Sequence, residues 1–369
     1  MTRDQHNIVI VGAGPAGSAA ALRIGARRPD LARRTLVLDR HEFPRDKLCA
    51  GGVSPLAEAQ LARVRAAPDV AACRVTSTEL VVGPRRELLR TTPGYAFRTV
   101  QRREFDAALL ALARKRGIGV AEGERVTAVD TGRAGVSVVT DRAEYRALAV
   151  IGADGTTGVV RRAVGLPPAE RWFALEVLEP ANPERDAAFA QGRATFDFGP
   201  IEAGLGGYCW IFPSRDAGVP VLNCGIAICA PDCARFGKKA RSFLVAWLAA
   251  RGIRCDASSI RGHGGIVYDP EARLGTHRVC VAGDAAGIDP YVAEGIPCAL
   301  GTGIAAADAV IAAINRGDFD LTRHHEHVRR SPIGRLMERR RLRAHAVYRR
   351  DAVDRYFHAV RLFGRPTSA

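Results

Sequence analysis

The sequence predicts an α/β fold: a parallel sheet wound with helices, interleaved with a second, sheet-rich domain and followed by a C-terminal helical segment. Three observations carry that expectation. Residues 7–11 (NIVIV) form an apolar, β-branched run that passes straight into Gly12-x-Gly14-x-x-Gly17 and an alanine-rich stretch. Two later segments, 147–163 and 278–314, repeat the order of buried strand, Gly and Asp, then helix. Between them, residues from about 168 to 262 change to isolated alternating runs such as 194–198, 207–212 and 219–227.

Taken in order, 7–11 suits a strand buried on both faces, and 18–26 suits a helix. The three glycines divide the work of a tight turn, close approach to a pyrophosphate, and close helix–strand packing. The helix N-terminus adds free N–H groups and a positive dipole end. A second strand, 35–39, ends in Asp39, 22 residues after Gly17, where an adenosine ribose needs an acceptor for its 2′-OH. Strand, glycines, helix, strand and acid in this order indicate a dinucleotide site.

A loop rich in proline and charge (40–52) leads to a helix near 54–65, with Ser54 as N-cap and Pro55 at the first position. Strands at 74–82 and 87–91 should leave the first domain, and 102–116 is an amphipathic helix with Phe105, Leu109, Leu112 and Ala113 on one side. Short strands are expected at 119–121, 125–130, 135–140 and 143–146, then a buried strand at 147–153 closing on Asp154-Gly155. A helix at 239–251 falls in the second domain. Residues 278–282 return to a parallel-type strand ending in Gly283-Asp284, and Gly295-Ile296 opens a long helix. The expected division is 1–70, 97–167 and 263–318 for the first domain, 71–96 and 168–262 for the second, and 319–369 for the C-terminal segment.

The chain has 369 residues, 47% of them hydrophobic, and a net charge of +15. Only four lysines occur (Lys47, Lys115, Lys238, Lys239), so the charge is almost all arginine and is not read as a nucleic-acid signature. Ten arginines between Arg323 and Arg350 face only Glu326 and Glu338. They suit either a solvated helix face or attraction to an anionic membrane or acidic partner. The longest apolar run, 298–314, is broken by Asp308 and reads as a buried helix; with no h-region ahead of the first strand, a cytoplasmic protein is expected, peripheral to the inner membrane face if the arginines dock there. Nine cysteines fit a reducing compartment. Cys224, Cys229 and Cys233 match no metal-ligand spacing, so buried thiols and no metal are expected.

Asp284 closes a strand where it can accept a bond from a ribityl hydroxyl, and the helix opening at Gly295-Ile296 can face a ring oxygen. A flavin has both groups. On GAGPAG at 12–17, Arg102 with Phe105-Asp106, Asp154-Gly155, and Gly283-Asp284 followed by Glu294-Gly295-Ile296, the chain resembles para-hydroxybenzoate-hydroxylase-like flavoproteins with a Rossmann-type FAD-binding domain. On Pro44-Arg45-x-Lys47-x-Cys49-Ala50-Gly51-Gly52 and Tyr208-x-Trp210-x-Phe212-Pro213, it resembles more narrowly the FAD-dependent geranylgeranyl reductase family. Ala50 stands where that family's loop has glycine, and the chain is short for a polyprenyl reductase.

The resemblance implies FAD held by Gly12, Gly14, Pro15, Ala16, Gly17, Asp39, Arg40, Cys49, Ala50, Gly52, Arg102, Val126, Asp154, Gly283, Asp284, Gly295 and Ile296. Arg102 would pair with the pyrophosphate, and Val126 would act through its backbone. It further implies reduction of C=C bonds in an apolar, isoprenoid-type substrate. Cys49 would lie near the flavin and relay a proton, while Tyr208 and Trp210 line the substrate slot. No second GxGxxG follows a strand, so the reductant is NAD(P)H docked without its own domain, or an electron-donor protein. The alternatives are a monooxygenase acting on an aromatic metabolite or protein side chain, and a flavoprotein electron carrier.

Overall fold

The computed structural model describes residues 4–82, 85–90, 96–166, 169–229, 236–289 and 291–347. Among them the first sheet runs β8 (Gly119–Ala121), β2 (Thr35–Leu38), β1 (Asp4–Val11), β11 (Glu144–Gly152), β10 (Val136–Thr140), β9 (Val126–Thr131), with β17 (Val279–Val281) joined to β11. β8, β2, β1, β11 and β17 are parallel, so their carboxyl ends share one edge. The second sheet runs β16 (Arg261–Ile266), β12 (Arg171–Pro180), β15 (Val219–Ile228), β14 (Gly207–Asp216), β13 (Arg193–Asp197), β5 (Ser77–Val82), β6 (Arg85–Arg90). A small third sheet joins β3 (Gly52–Val53), β7 (Phe97–Val100) and β4 (Ala72–Val75).

The helices are α1 (Pro15–Arg27), α2 (Pro29–Ala32), α3 (Pro55–Arg63), α4 (Arg102–Lys115), α5 (Val159–Ala163), α6 (Ala187–Ala190), α7 (Gly199–Glu202), α8 (Gly237–Ala249), α9 (Gly295–Arg316), α10 (His324–Arg330) and α11 (Pro332–Val347). Ser54 caps α3 as its sequence suggests, accepting from Ala57 N at 3.4 Å, with Pro55 at the first position. α1 and α9 cross the same face of the first sheet in close contact. A methyl on Gly303 would stand 2.1 Å from Ala16 O, so only glycine permits that approach. α9 is long and apolar enough to cross a membrane, but 89% of that window is buried here, which makes it the central core helix.

Several elements differ from the sequence reading. The expected strands 143–146 and 147–153 are one strand, β11, whose first half pairs antiparallel with β10 and whose second half pairs parallel with β1 and β17. The run 74–82 divides at Thr76, whose N–H bonds Gly192 O at 2.8 Å; β4 then joins the third sheet and β5 the second. Thr91, the expected end of the 87–91 strand, lies outside the described residues, as do Cys233 and residues 348–369 of the basic segment. β16 (RGHGGI) gave no strand signal, because its glycines serve packing: a methyl on Gly265 would meet Trp172 Nε1 at 2.3 Å.

The second sheet has two covered faces. Leu175, Val177, Cys209, Cys224 and Ile226 pack with Leu244, Trp247 and Leu248 of α8. The opposite face carries Glu176, Gly225, Trp210 and Phe196 in one cross-strand row, flanked by Tyr208 and Phe212, and turns toward the first sheet. The eight described cysteines are free thiols, with Cys224 and Cys229 buried as expected, and the described residues hold no metal-binding cluster.

Candidate functional site: a nucleotide crevice under an aromatic sheet

The parallel edge gathers the separated sequence segments. Gly12 N bonds Leu38 O at 2.7 Å, Ala153 N bonds Val11 O at 2.7 Å, and Ala282 N bonds Gly152 O at 2.8 Å. Gly12, Asp39, Asp154 and Gly283 therefore stand side by side just past the ends of β1, β2, β11 and β17. Gly283 (φ +64°) lies so close to Ala16 that an added methyl would come within 2.7 Å of its Cβ. The first glycine turn and the late Asp284 segment thus form one crevice.

Both helices that open on the crevice have N-termini without a side-chain cap: Gly14 precedes α1 and Glu294 precedes α9. Their first N–H groups remain available to an acceptor. Space over Gly14 is open, the nearest neighbour of an added methyl being Arg45 Nη2 at 3.5 Å, and Gly295 meets only Ile288 Cδ1 at 3.6 Å. Between them Asp284 is half-buried, and its carboxylate has no hydrogen-bond partner among the described residues.

The remaining expected residues divide by role. Asp39, 8% exposed, accepts from Ala13 N at 2.7 Å through one oxygen and from His41 N at 2.9 Å through the other, so it braces the glycine turn as well as facing the crevice. Arg40 is exposed and donates to the His41 ring. Val126 is buried at the start of β9, two residues beyond Glu124, whose N–H bonds Asp39 O at 2.9 Å. Asp154 caps α5, accepting from Val160 N at 2.9 Å, and burial pushes its pKa up. Arg161 of α5 reaches across to Ala285 O at 2.6 Å, fastening this turn to the segment after Asp284.

Arg102 is buried and forks onto Asp106, Nε and Nη2 each at 2.8 Å. Burial opposes its charge, but Asp106 outweighs that and holds it charged. Arg45, which sequence reasoning passed over, also bonds Asp106 (3.0 Å); its Nη2 lies beside Gly14, and its Nη1 is buried without an acceptor among the described residues. An unsatisfied buried N–H next to a glycine turn is suited to a phosphate oxygen. The signal was its place in the Pro44–Gly52 loop. Cys49 is half-buried, its Sγ accepting from Gly51 N at 3.4 Å, and Gly52 pairs with Thr99. Ala50 packs at the edge of the core.

The aromatic sheet face is fastened over this crevice at both ends. Asn223 Nδ2 donates to Cys49 O (3.3 Å) on one side, and Tyr208 OH donates to Val292 O (2.6 Å), three residues before α9, on the other. Thr99 Oγ1 bonds Pro213 O as a third stitch. Trp210 Nε1 donates to Asn223 Oδ1 at 2.8 Å, and its ring lies over Gly225, where a methyl would meet it at 2.2 Å. Tyr208 and Phe212 flank it with ring centroids 6.2 and 6.5 Å away, and Phe196 and Phe97 extend the cluster through contacts of 5.1–5.7 Å with those two rings.

Sequence reasoning missed the carboxyl in this face. Glu176 is 5% exposed; Oε1 accepts from Asn223 Nδ2 (3.2 Å), and Oε2 is buried and meets no donor in good geometry among the described residues. Burial raises its pKa to about 7, against the Asn223 amide and the Arg102 charge. His263 of β16, edge-on to Trp172 at 5.4 Å, is pushed down to about 4 by burial and by the charges of Lys47 and Arg102.

These features fit FAD. Gly12, Gly14, the α1 N-terminus and Arg45 would hold the pyrophosphate, Asp39 the adenosine ribose, Asp284 the ribityl chain, and the α9 N-terminus the pyrimidine edge of the ring. Comparison with known proteins agrees. The FAD binding domain family matches residues 5–184. A digeranylgeranylglycerophospholipid reductase of Methanosarcina acetivorans is 27% identical over 340 residues, covering 88% of this chain and 79% of that protein. A menaquinone reductase of Mycobacterium tuberculosis is 29% identical over 327 residues, covering 83% and 76%. The crystal structure of a geranylgeranyl bacteriochlorophyll reductase-like protein from Thermoplasma acidophilum superposes with a TM-score of 0.80 at 21% identity, covering 99% of this chain and 93% of that one. Residues 5–184 thus match an FAD binding domain, and the chain, read as an FAD-dependent oxidoreductase, is similar over more than four fifths of its length to reductases of the geranylgeranyl type.

Proposed function

We propose that this protein saturates C=C bonds in an isoprenoid or similarly apolar substrate. The observation that carries the reading is the aromatic sheet face fastened by Asn223 and Tyr208 to the two loops that flank the crevice. When bound and reduced, FAD supplies the hydride. The chain's own part is to bury the alkene against Tyr208, Trp210 and Phe212, exclude water, and favour cation character with aromatic faces. The polar ends of Tyr208 and Trp210 are engaged in hydrogen bonds, so those residues act through their rings. Cys49 stands at the edge of the slot as a residue that shapes it. Relatives named for a digeranylgeranyl glycerophospholipid and for menaquinone support a polyprenyl chain as the shared substrate feature.

The reductant is NAD(P)H or a donor protein. Cytoplasmic placement with peripheral membrane contact through the exposed arginines of α11, Arg335, Arg339 and Arg343, completes the reading. The test incubates anaerobic, dithionite-reduced holoenzyme with a geranylgeranyl lipid and weighs the product. A gain of two hydrogens per double bond is expected. A product that instead gains an oxygen atom, formed only in air, would replace this reading with that of a monooxygenase.

A further inference from the structure

Glu176 is an expensive residue to place where it is. It sits on an aromatic face, level with Gly225 and Trp210, with no guanidinium bonded to it, because Arg102 is engaged by Asp106. One carboxyl oxygen is held by Asn223, the same side chain that accepts from Trp210 and donates to Cys49 O. The other oxygen is buried and meets no donor in good geometry among the described residues, the backbone N–H of Cys49 being the neighbour that favours its charge. An ionised carboxylate so sparsely bonded in such a buried place is disfavoured, whereas a carboxylic acid is tolerated. The charges that act on it are Arg102 and Lys47 from the cofactor side, and β16 places Arg261 directly opposite it in the ladder and His263 one pair further along the same face. The Asn223 amide, the Arg102 and Lys47 charges and the Cys49 N–H lower its pKa, and burial outweighs them to leave it near 7. His263 is uncharged at neutral pH, and Tyr208 is raised well above its ordinary range by burial, so neither competes as an acid.

We propose that Glu176 is the acid of this site, protonating the substrate alkene from the aromatic face; the inference rests on the C=C reductase reading above. The Glu176 O–H bond breaks and its electron pair stays on the carboxylate. The proton forms a C–H bond at the less substituted alkene carbon, and the more substituted carbon accepts the hydride that reduced FAD supplies. The alkene is reduced by two electrons and the flavin oxidised by two. Glu176 regains its proton from solvent beside the half-buried Cys49 loop.

The experiment compares holoenzyme of the wild type, Glu176→Gln and Glu176→Asp, each checked for FAD content and melting temperature. Infrared difference spectra across pH 5–9 should show a protonated carboxyl band titrating near pH 7 in the wild type and absent from Glu176→Gln. With a geranylgeranyl lipid, Glu176→Gln should lose roughly 100-fold or more in kcat with KM little changed, and the fall in kcat above pH 7 should vanish. Glu176→Asp, which keeps an acid, should retain part of the activity and that alkaline limb. Glu176→Gln with wild-type kcat, or an unchanged carboxyl band in its spectrum, overturns the assignment and leaves the reductase reading standing. Wild-type enzyme that leaves the alkene untouched overturns the reading instead, while loss of the band in the variant still places the buried acid at Glu176.

Discussion

Single side chains in this protein are set by burial more than by sequence neighbours. Glu176 has a folded pKa near 7 against 4.5 unfolded, so the stability it allows is fully present below pH 4.5 and lost as pH rises through 7. Glu176→Gln should therefore be more stable than wild type at pH 8.5, on the order of 3 kcal/mol, read from urea midpoints. His324 shows the opposite sign. It is 1% exposed, and burial with the nearby His327 depresses its pKa to about 3 against the opposing effect of the Val281 backbone. Its contribution is present above pH 6.5 and is lost as pH falls toward 3. His324→Phe should flatten the loss of stability between pH 7 and 4.5 by about 2 kcal/mol, provided the ring packs in the same space.

Arg340 marks where the basic segment departs from a purely solvated face. Its Nη1 bonds Asp289 Oδ2 at 2.8 Å and Glu294 Oε2 at 2.7 Å, while Asp289 accepts from Tyr291 N and Val292 N. A side chain of α11 thereby fixes the loop that carries Val292 and aims the N-terminus of α9. Arg340→Met leaves buried Asp289 and half-buried Glu294 without their cation and should cost about 3–5 kcal/mol, with FAD affinity weakened at least tenfold. Arg339→Met, on the exposed side, should stay within about 0.5 kcal/mol of wild type. Differential scanning and FAD fluorescence titration separate the two.

At the scale of elements, the α1–α9 crossing is the joint that brings distant sequence together. Gly303→Ala should push the helices apart, costing about 1–3 kcal/mol and releasing FAD at lower denaturant than wild type. The parts of the fold legible in the sequence were those with their own local chemistry. β1 with its glycine turn, α4 with its apolar stripe, and the Ser54–Pro55 start of α3 each obey a short-range rule. The second sheet was legible only in part because both of its faces are covered. In β12, Leu175 and Val177 alternate with Glu176, a pattern that ordinarily turns the acid toward water. Here that face meets the cofactor domain, and the acid is buried against it. β16 was silent because its glycines make room for Trp172, a reason visible only once the neighbouring strand is in place. The sequence reading gave the pyrophosphate to Arg102 and passed over Arg45, because only geometry shows that Asp106 takes both forks of Arg102.

The whole molecule is one cofactor crevice with a lid of sheet. Five parallel strand ends and two uncapped helices make its floor, and the aromatic face of the second sheet, fastened at Cys49 and Val292, makes its roof. Every functional statement above depends on a single FAD occupying the space between the first glycine turn and the Asp284 segment. The most direct test is titration of the apoprotein with FAD, followed by flavin fluorescence, in the wild type and in Asp284→Ala. One FAD per chain is expected, bound at least tenfold more weakly by the variant, with the melting temperature of the two apoproteins unchanged. Binding of equal strength to both, or no saturable binding by the wild type, would contradict the account.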